Sequence, residues 1–107
     1  MAGRPGYATL AVLKAIASGY RHGFDIIDAT GLPGGTVYPV LGKLEDGGYL
    51  RSTWEDPQVA QAEKRPPRRY YELRAAGERQ LQEMLRQFRE IEALPKARAA
   101  RLRTRKA

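Results

Sequence analysis

Apolar residues in the first third of the chain repeat at the spacing of α-helices. In residues 7–18 they occupy two adjoining sides of a predicted helix, which Gly19 is placed to end. The apolar positions are Leu10, Val12, Leu13, Ile16 and Ala17. A helix that is apolar on most sides is expected to be buried. A short second helix is predicted over residues 22–30, where Phe24 and Ile27 share a face, and Gly31 and Pro33 follow it as stop signals.

A third helix is predicted from about residue 34 to residue 46, after an entry rich in glycine. Its apolar positions Val37, Leu41 and Leu44 fall on one face, which is expected to point inward. A different, mostly polar face carries Thr36, Pro39, Lys43 and Asp46. Pro39 requires a position in or near the first turn, where a missing N–H matters little. Gly47 and Gly48 end the helix.

The middle of the chain changes to a strand pattern. Residues 49–55 alternate weakly and contain aromatic and β-branched side chains, which favours a strand. Residues 56–67 are polar, contain three prolines and predict a loop, and residues 68–73 predict a second strand antiparallel to the first. Because two strands alone are marginally stable, they must pack on the helices.

The two predicted strands place several large side chains opposite one another. Trp54 is expected to pack in the core against Tyr70 or Tyr71 across the strands, in preference to forming a ligand platform. Strand alternation puts Arg68 on one face and Arg69 on the other, so a regular strand cannot direct both at one partner. The alternation could break at the tip, and a solvated hairpin is the alternative.

Residues 75–94 again show a helical pattern. The apolar seam steps by three and four residues, as in coiled coils, and consists of Leu81, Met84, Leu85, Phe88 and Ile91. The seam could pack on its own domain, but a helix about 30 Å long exceeds what so small a core covers. We therefore predict that it forms a dimer interface, with Met84 and Phe88 in the dimer core first and in a ligand pocket only second.

Composition and charge narrow the functional class. The 107 residues include no cysteine and one histidine, which excludes disulfides, thiolate metal sites and cysteine catalysis. His22 is interpreted as a residue that begins a helix, in preference to a switch or a metal ligand. No apolar run is long enough to cross a bilayer and no signal peptide is evident, so we expect a cytoplasmic protein without a membrane association. No metal or other cofactor is predicted.

The net charge of +7 is concentrated at the C-terminal end. Residues 95–107 contain no acidic residue, and their basic residues are Lys96, Arg98, Arg101, Arg103, Arg105 and Lys106. Such a tail is either a solvated end or a segment that follows nucleic-acid phosphates. A second basic cluster, which includes Lys64, Arg65, Arg68 and Arg69, falls at the predicted loop between the strands and would make it positive.

The order of elements predicts a mainly α fold with a small β-hairpin, a winged helix-turn-helix. The second and third helices with their short turn form the helix-turn-helix, whose second member enters the major groove. The hairpin with its basic loop is the wing. The predicted domains are residues 1–74 for DNA binding, 75–94 for the long dimerisation helix and 95–107 for the basic tail.

Several short motifs carry a family resemblance. These are GTVYPVL at residues 35–41, KLE at 43–45, GYL at 48–50, WE at 54–55, RP at 65–66 and RRYYEL at 68–73, followed by Gly77. The string HGFDI at residues 22–26 belongs to the same pattern. Together they resemble the PadR family of transcriptional regulators over most of the chain. The C-terminal part is similar to the small subgroup, which keeps one long helix after the wing.

The resemblance implies a homodimeric winged helix-turn-helix repressor that binds a palindromic operator in double-stranded DNA and is released by a small-molecule effector. The residues expected at DNA are Gly35, Thr36, Tyr38, Pro39, Lys43, Lys64, Arg65, Arg68 and Arg69. Thr36 would donate to a base edge or a phosphate, and Pro39 would touch a thymine methyl group. Tyr38 would reach a phosphate or pack under the wing, and Lys43 would meet a phosphate or solvent.

The chain departs from the family pattern at two places. Arg74 stands where a threonine usually caps the last helix, so we expect a looser joint there or a role for Arg74 at DNA. Some small members have a tryptophan in the last helix that stacks aromatic drugs, but this helix has none. A module that senses a ligand or binds a protein, with a secondary role at DNA, is the alternative function. An enzyme is not expected, because no catalytic constellation is evident.

Overall fold

The computed structural model describes residues 6–94. Within these residues, five helices and two strands follow one another. They are α1 (Tyr7–Ala17), α2 (Gly23–Thr30), α3 (Gly34–Asp46), β1 (Leu50–Trp54), α4 (Pro57–Ala62), β2 (Arg69–Leu73) and α5 (Ala75–Glu92). The predicted mainly α fold with a small β-hairpin is confirmed, and every predicted helix and strand is present within a few residues of its expected ends.

The core is formed where α1, α2 and α3 meet. Val12 and Leu13 of α1, Ile26 of α2, and Val37 and Leu41 of α3 are all 0% exposed. Burial of such side chains is the main favourable contribution to folding, at roughly 1.5–3 kcal/mol for each one. The predicted inward face of α3 is thus confirmed, and its opposite face remains at the surface.

The turn between α2 and α3 is fixed by local hydrogen bonds. Gly31 ends α2 with φ 72°, a left-handed conformation that glycine adopts without steric cost. The Thr30 hydroxyl donates to the Ile26 carbonyl at 2.7 Å and accepts from the Leu32 N–H at 3.2 Å. The Pro33 carbonyl accepts the backbone N–H groups of Thr36 and Val37 in the first turn of α3. These hydrogen bonds therefore fix the position of the first turn of α3 relative to α2.

Pro39 lies beyond the first turn of α3, where its missing N–H would matter least. It is the sixth residue of the helix and so lies in the second turn. Its missing N–H would have bonded to the carbonyl of Gly35, and both residues are exposed. The helix tolerates Pro39 because that carbonyl lies on the solvent side.

The strands β1 and β2 pair in antiparallel register, with Leu50 opposite Leu73 and Trp54 opposite Arg69. Leu50 is 1% exposed and anchors the hairpin in the core. The hairpin is also bonded to the segment before α2, because the Tyr71 N–H donates to the Arg21 carbonyl at 2.8 Å. The strands thus gain the support that two strands alone would lack.

The connection between the strands is not the continuous loop that the sequence predicted. Residues 57–62 form the short helix α4. The Asp56 carboxylate accepts the Gln58 N–H at 2.8 Å, Pro57 occupies the first turn and Ala60 is fully buried. An acidic N-cap followed by proline is a helix start signal, and the number of prolines obscured it.

The first turn of helix α5 packs closely on Tyr49, the residue before β1. A side chain on Gly77 would overlap the Tyr49 carbonyl oxygen, and the Arg74 N–H donates to the same oxygen at 3.0 Å. Arg74 precedes the helix without a side-chain capping bond, as expected from the missing threonine. Backbone contacts to Tyr49 hold this joint.

No helix within residues 6–94 has the length and apolar character needed to cross a bilayer. No group of three potential metal-ligating side chains comes together in that range. The predicted basic tail, residues 95–107, lies outside the described residues.

Candidate nucleic-acid interface

The outward face of α3 carries the residues that were expected in the major groove. Gly35, Pro39 and Lys43 are exposed and Thr36 is half-buried. The opposite face of the helix is fixed in the core by Val37 and its neighbours. The helix therefore presents a short polar face from a rigid support, as a reading helix requires.

Tyr38 lies between α3 and the start of α2. Its ring packs against the backbone of Gly23, and about half of the side chain, 49%, remains exposed. His22 is the N-cap residue of α2, in agreement with its predicted place at the helix start. Its ring lies edge-on to Tyr70 of β2, with centroids 5.6 Å apart. Tyr38 therefore lies beside the wing, close to the start of α2.

Arg65 forms an ion pair within the wing. Its guanidinium donates to the two carboxylate oxygens of Glu55 at 2.6 and 2.9 Å, and the Arg68 N–H donates to Glu55 at 3.1 Å. Only 9% of the Glu55 side chain and 20% of the Arg65 side chain are exposed. The hydrogen bonds from Arg65 lower the pKa of Glu55 to about 2. This ion pair joins the two ends of the connection between the strands.

Arg69 links the wing to α3. It donates to Glu45 in the last turn of α3 at 3.0 and 3.2 Å and to the Ser52 hydroxyl at 2.9 Å. Ser52 in turn donates to Glu45. The guanidinium also lies 5.5 Å from the centroid of the Trp54 ring. Arg69 thus fixes the orientation of both strands relative to α3.

Lys64 and Arg68 are positioned differently from the two paired arginines. Lys64 is exposed and adopts φ 58° in the turn after α4. The half-buried Arg68 has no carboxylate within ion-pair distance of its guanidinium among residues 6–94. Both cations are therefore available to a partner at the wing.

The prediction that Trp54 packs in the core is wrong. Its side chain is 63% exposed, and the register places it opposite Arg69 instead of a tyrosine. Phe24, at the start of α2, is 72% exposed, because Ile26 is the residue of that helix that enters the core. Sequence reasoning did not identify Trp54 and Phe24 as part of this surface, since helical and strand periodicity normally place such side chains inside.

The predicted seam of α5 divides into a buried and an exposed part. Leu81 is 4% exposed within a single chain, and Met84 and Leu85 pack partly against the same core. Phe88 and Ile91 are 38% and 57% exposed. The structure therefore places Leu81 inside its own protomer and leaves the second half of the seam uncovered.

The sequence comparison agrees with this architecture. The sequence profile of the transcriptional regulator PadR-like family matches residues 12–83, about two thirds of the chain. This chain belongs to the PadR-like family of transcriptional regulators. The resemblance found in the motifs is thereby confirmed. No curated protein matches the chain.

Solved structures show the same fold. A PadR family transcription regulator from hypervirulent Clostridium difficile R20291 has a TM-score of 0.71 and 22% identity, covering 81% of this chain and 92% of that chain. BpsR of Bordetella bronchiseptica has a TM-score of 0.64 and 23% identity, covering 94% and 76%. Bacillus subtilis PadR, solved in complex with operator DNA, has a TM-score of 0.61 and 19% identity, covering 92% and 67%. The Clostridium difficile protein is a PadR family transcription regulator, and BpsR is a protein whose DNA binding is regulated.

Proposed function

We propose that this PadR-like protein is a homodimeric repressor that binds a palindromic operator in double-stranded DNA and is released by a small molecule. The observation that carries the proposal is the outward face of α3. Thr36, Pro39 and Lys43 stand on a helix whose other side is fixed in the core, and the cationic wing lies beside it. A helix about 10–12 Å across fits a major groove about 12 Å wide.

The helix and the wing have different parts in this interface. Thr36 donates to a base edge and Pro39 contacts a thymine methyl group, while Gly35 allows close approach of the backbone. Tyr38 and Lys43 reach phosphates on either side of the groove. Base contacts then select the sequence, and phosphate contacts set the register.

The four basic residues of the wing have two different roles. Lys64 and Arg68 contact phosphates, because neither side chain forms an ion pair within residues 6–94. Arg65 and Arg69 act at the interface mainly by shaping the wing, because each guanidinium already bonds to a glutamate. The positive charge of the wing increases affinity in a way that depends on salt.

A second copy of the chain covers the exposed end of α5. Phe88 and Ile91, continued by Met84 and Leu85, form an apolar strip that water would otherwise hydrate. An isologous pair of such strips produces a two-fold axis. That axis would present two copies of α3 to the half-sites of a palindrome.

Two similar proteins support the finer parts of the proposal. Bacillus subtilis PadR was solved in complex with operator DNA. The structural work on BpsR concerns regulation of its DNA binding by 6-hydroxynicotinic acid. We extend operator binding to this chain because it shares the PadR-like family and the fold, and release by a small molecule because it shares the fold of BpsR.

Selection of duplexes from a random pool tests the function and defines the operator in the same experiment. We expect enrichment of a palindromic consensus whose half-sites are about one helical turn apart. The selected duplex then serves for titrations at several salt concentrations. Lys43→Ala and Arg68→Ala should each flatten the slope of log K against log salt by about 1, and Arg79→Ala on α5 should not. No enriched sequence, or unchanged slopes for both variants, would contradict the proposal.

A further inference from the structure

A cleft of about 310 Å³ opens between the start of α2, the middle of α3 and the wing. Its walls are largely aromatic and include Phe24, Tyr38 and Trp54, with Pro66 and Pro67 on the wing side. Large aromatic side chains as exposed as Phe24 and Trp54 are uncommon unless a partner covers them. The cleft is thus an exposed apolar site, separate from the apolar strip at the end of α5.

Arg68 is the arginine of the cleft whose guanidinium forms no ion pair within residues 6–94. Three arginines line it, but Arg65 is paired with Glu55 and Arg69 with Glu45. Among residues 6–94, no carboxylate pairs with the guanidinium of Arg68. A guanidinium beside aromatic faces suits a planar ligand that carries a carboxylate, because it offers a bidentate charged hydrogen bond.

We propose that this cleft binds a planar aromatic anion, and that the ligand excludes operator DNA. The ring stacks between Phe24 and Trp54, and the anionic group pairs with Arg68. The volume accommodates a ligand of one or two rings. Exclusion of DNA rests on the proposed function, because Tyr38 and Arg68 line the cleft and are also proposed to contact phosphates. The ligand would act at the DNA-binding surface itself.

Trp54 provides a direct signal, because it is the only tryptophan in the chain. The purified full chain is titrated without DNA, with 4-nitrobenzoate as the probe and neutral 4-nitrobenzamide as its isostere. We expect saturable quenching of Trp54 fluorescence by the anion and binding of the amide at least about tenfold weaker. Quenching that rises linearly with both compounds would overturn the proposal, because it shows collisions instead of a site.

Variants locate the site. Arg68→Ala should weaken binding of 4-nitrobenzoate by about tenfold or more, and Phe24→Leu should also weaken it by removing one aromatic face. Arg79→Ala, an exposed arginine on α5, is the matched control and should bind as the unaltered chain does. Equal affinity in all three variants would place the ligand elsewhere and overturn the proposal. Circular dichroism confirms that each variant is folded.

Inorganic phosphate tests whether the cleft merely holds a phosphate group. We expect it to displace 4-nitrobenzoate only at concentrations at least about tenfold higher, because phosphate cannot stack on the aromatic walls. Equal potency of phosphate would overturn the aromatic part of the proposal.

The last step uses the selected duplex and fluorescence anisotropy. We expect 4-nitrobenzoate to raise the apparent Kd for DNA in proportion to its occupancy of the cleft. Simultaneous binding of both would overturn exclusion. Failure of the chain to bind any duplex would contradict the proposed function, whereas the titrations without DNA test the cleft independently.

Discussion

Arg69 on the second strand of the wing donates to both carboxylate oxygens of Glu45, in the last turn of α3, at 3.0 and 3.2 Å. The same guanidinium bonds to Ser52 on the first strand. One side chain therefore joins three elements of the candidate interface. Bidentate contacts of this kind define orientation as well as distance. We infer that α3 and the wing are held as one surface before DNA is present.

Removal of Arg69 tests this positioning role. Arg69→Ala should weaken binding to the selected duplex by about tenfold, because the wing is no longer held at its angle to α3. The slope of log K against log salt should stay unchanged, since no phosphate contact is lost. Titrations at several salt concentrations measure both quantities.

Arg51→Ala is the matched control, because Arg51 is an exposed arginine of the same hairpin that pairs with Glu72. It should retain the affinity of the unaltered chain. A fall of the slope by about 1 in Arg69→Ala would show that Arg69 contacts a phosphate directly, and the positioning role would be wrong.

The helices were predictable from the sequence because their signals are local and repeated. The apolar face of α3 follows from the spacing of Val37, Leu41 and Leu44, and all three are buried. The short helix α4 was missed because six residues are too few for a periodic signal, and its start depends on one capping bond from Asp56. The signal for this helix is its capped start and not a repeat of apolar residues.

The candidate site was less predictable than the fold. The basic cluster in the wing was evident, but sequence alone could not show that Glu55 and Glu45 take up two of its arginines. Glu45 lies 24 residues from Arg69, and only the folded chain brings them together. The exposure of Trp54 was also hidden in the sequence, because it depends on the register of the strands. That register places Arg69 opposite Trp54.

The Glu55–Arg65 pair should make stability depend on pH in the acid range. The pKa of Glu55 falls from 4.5 to about 2 on folding, chiefly because of the hydrogen bonds from Arg65. The ionised carboxylate therefore stabilises the folded chain fully above pH 4.5, and this contribution is lost as the pH falls towards 2. Glu55→Gln should be less stable than the unaltered chain at about pH 7, and the difference should shrink at about pH 3.

Thermal unfolding at about pH 7, 5 and 3 provides this comparison. Glu92→Gln, an exposed change at the end of α5, should follow the unaltered chain at each pH. A difference for Glu55→Gln that stays constant over this whole range would show that the carboxylate is not the group responsible.

Gly77 should tolerate no side chain. Gly77→Ala forces a methyl group onto the Tyr49 carbonyl oxygen, which is backbone and cannot move aside. We expect a loss of about 1–3 kcal/mol in the free energy of unfolding. Gly42→Ala is the matched control, because a methyl group at that exposed helical position meets nothing within 4 Å.

Urea unfolding of both variants measures the difference. Gly42→Ala should stabilise the chain by roughly 0.5–1 kcal/mol, since alanine favours a helix over glycine. A neutral Gly77→Ala variant would mean that α5 does not pack on Tyr49 as described.

The exposed end of α5 should control assembly. Ile91→Glu places a charge in the apolar strip that a second copy is proposed to cover, so we expect a shift from dimer to monomer with little loss of fold. Gln82→Glu, on an exposed position of the same helix, should remain dimeric. Leu81→Ala should instead destabilise each protomer by about 2–5 kcal/mol, because Leu81 is buried within one chain.

Sedimentation equilibrium of these variants separates assembly from stability. Ile91→Glu that stays dimeric at micromolar concentration would move the interface away from this strip. Retention of helical content by circular dichroism is needed for the comparison.

In the proposed complex, two copies of the chain join and place their α3 helices on one face of the duplex. Sedimentation velocity of the protein, alone and with the selected duplex, tests it most directly. We expect a dimer in the free protein and two chains on each palindromic duplex. A single chain in the free protein, and one chain per duplex at the same concentration, would contradict it.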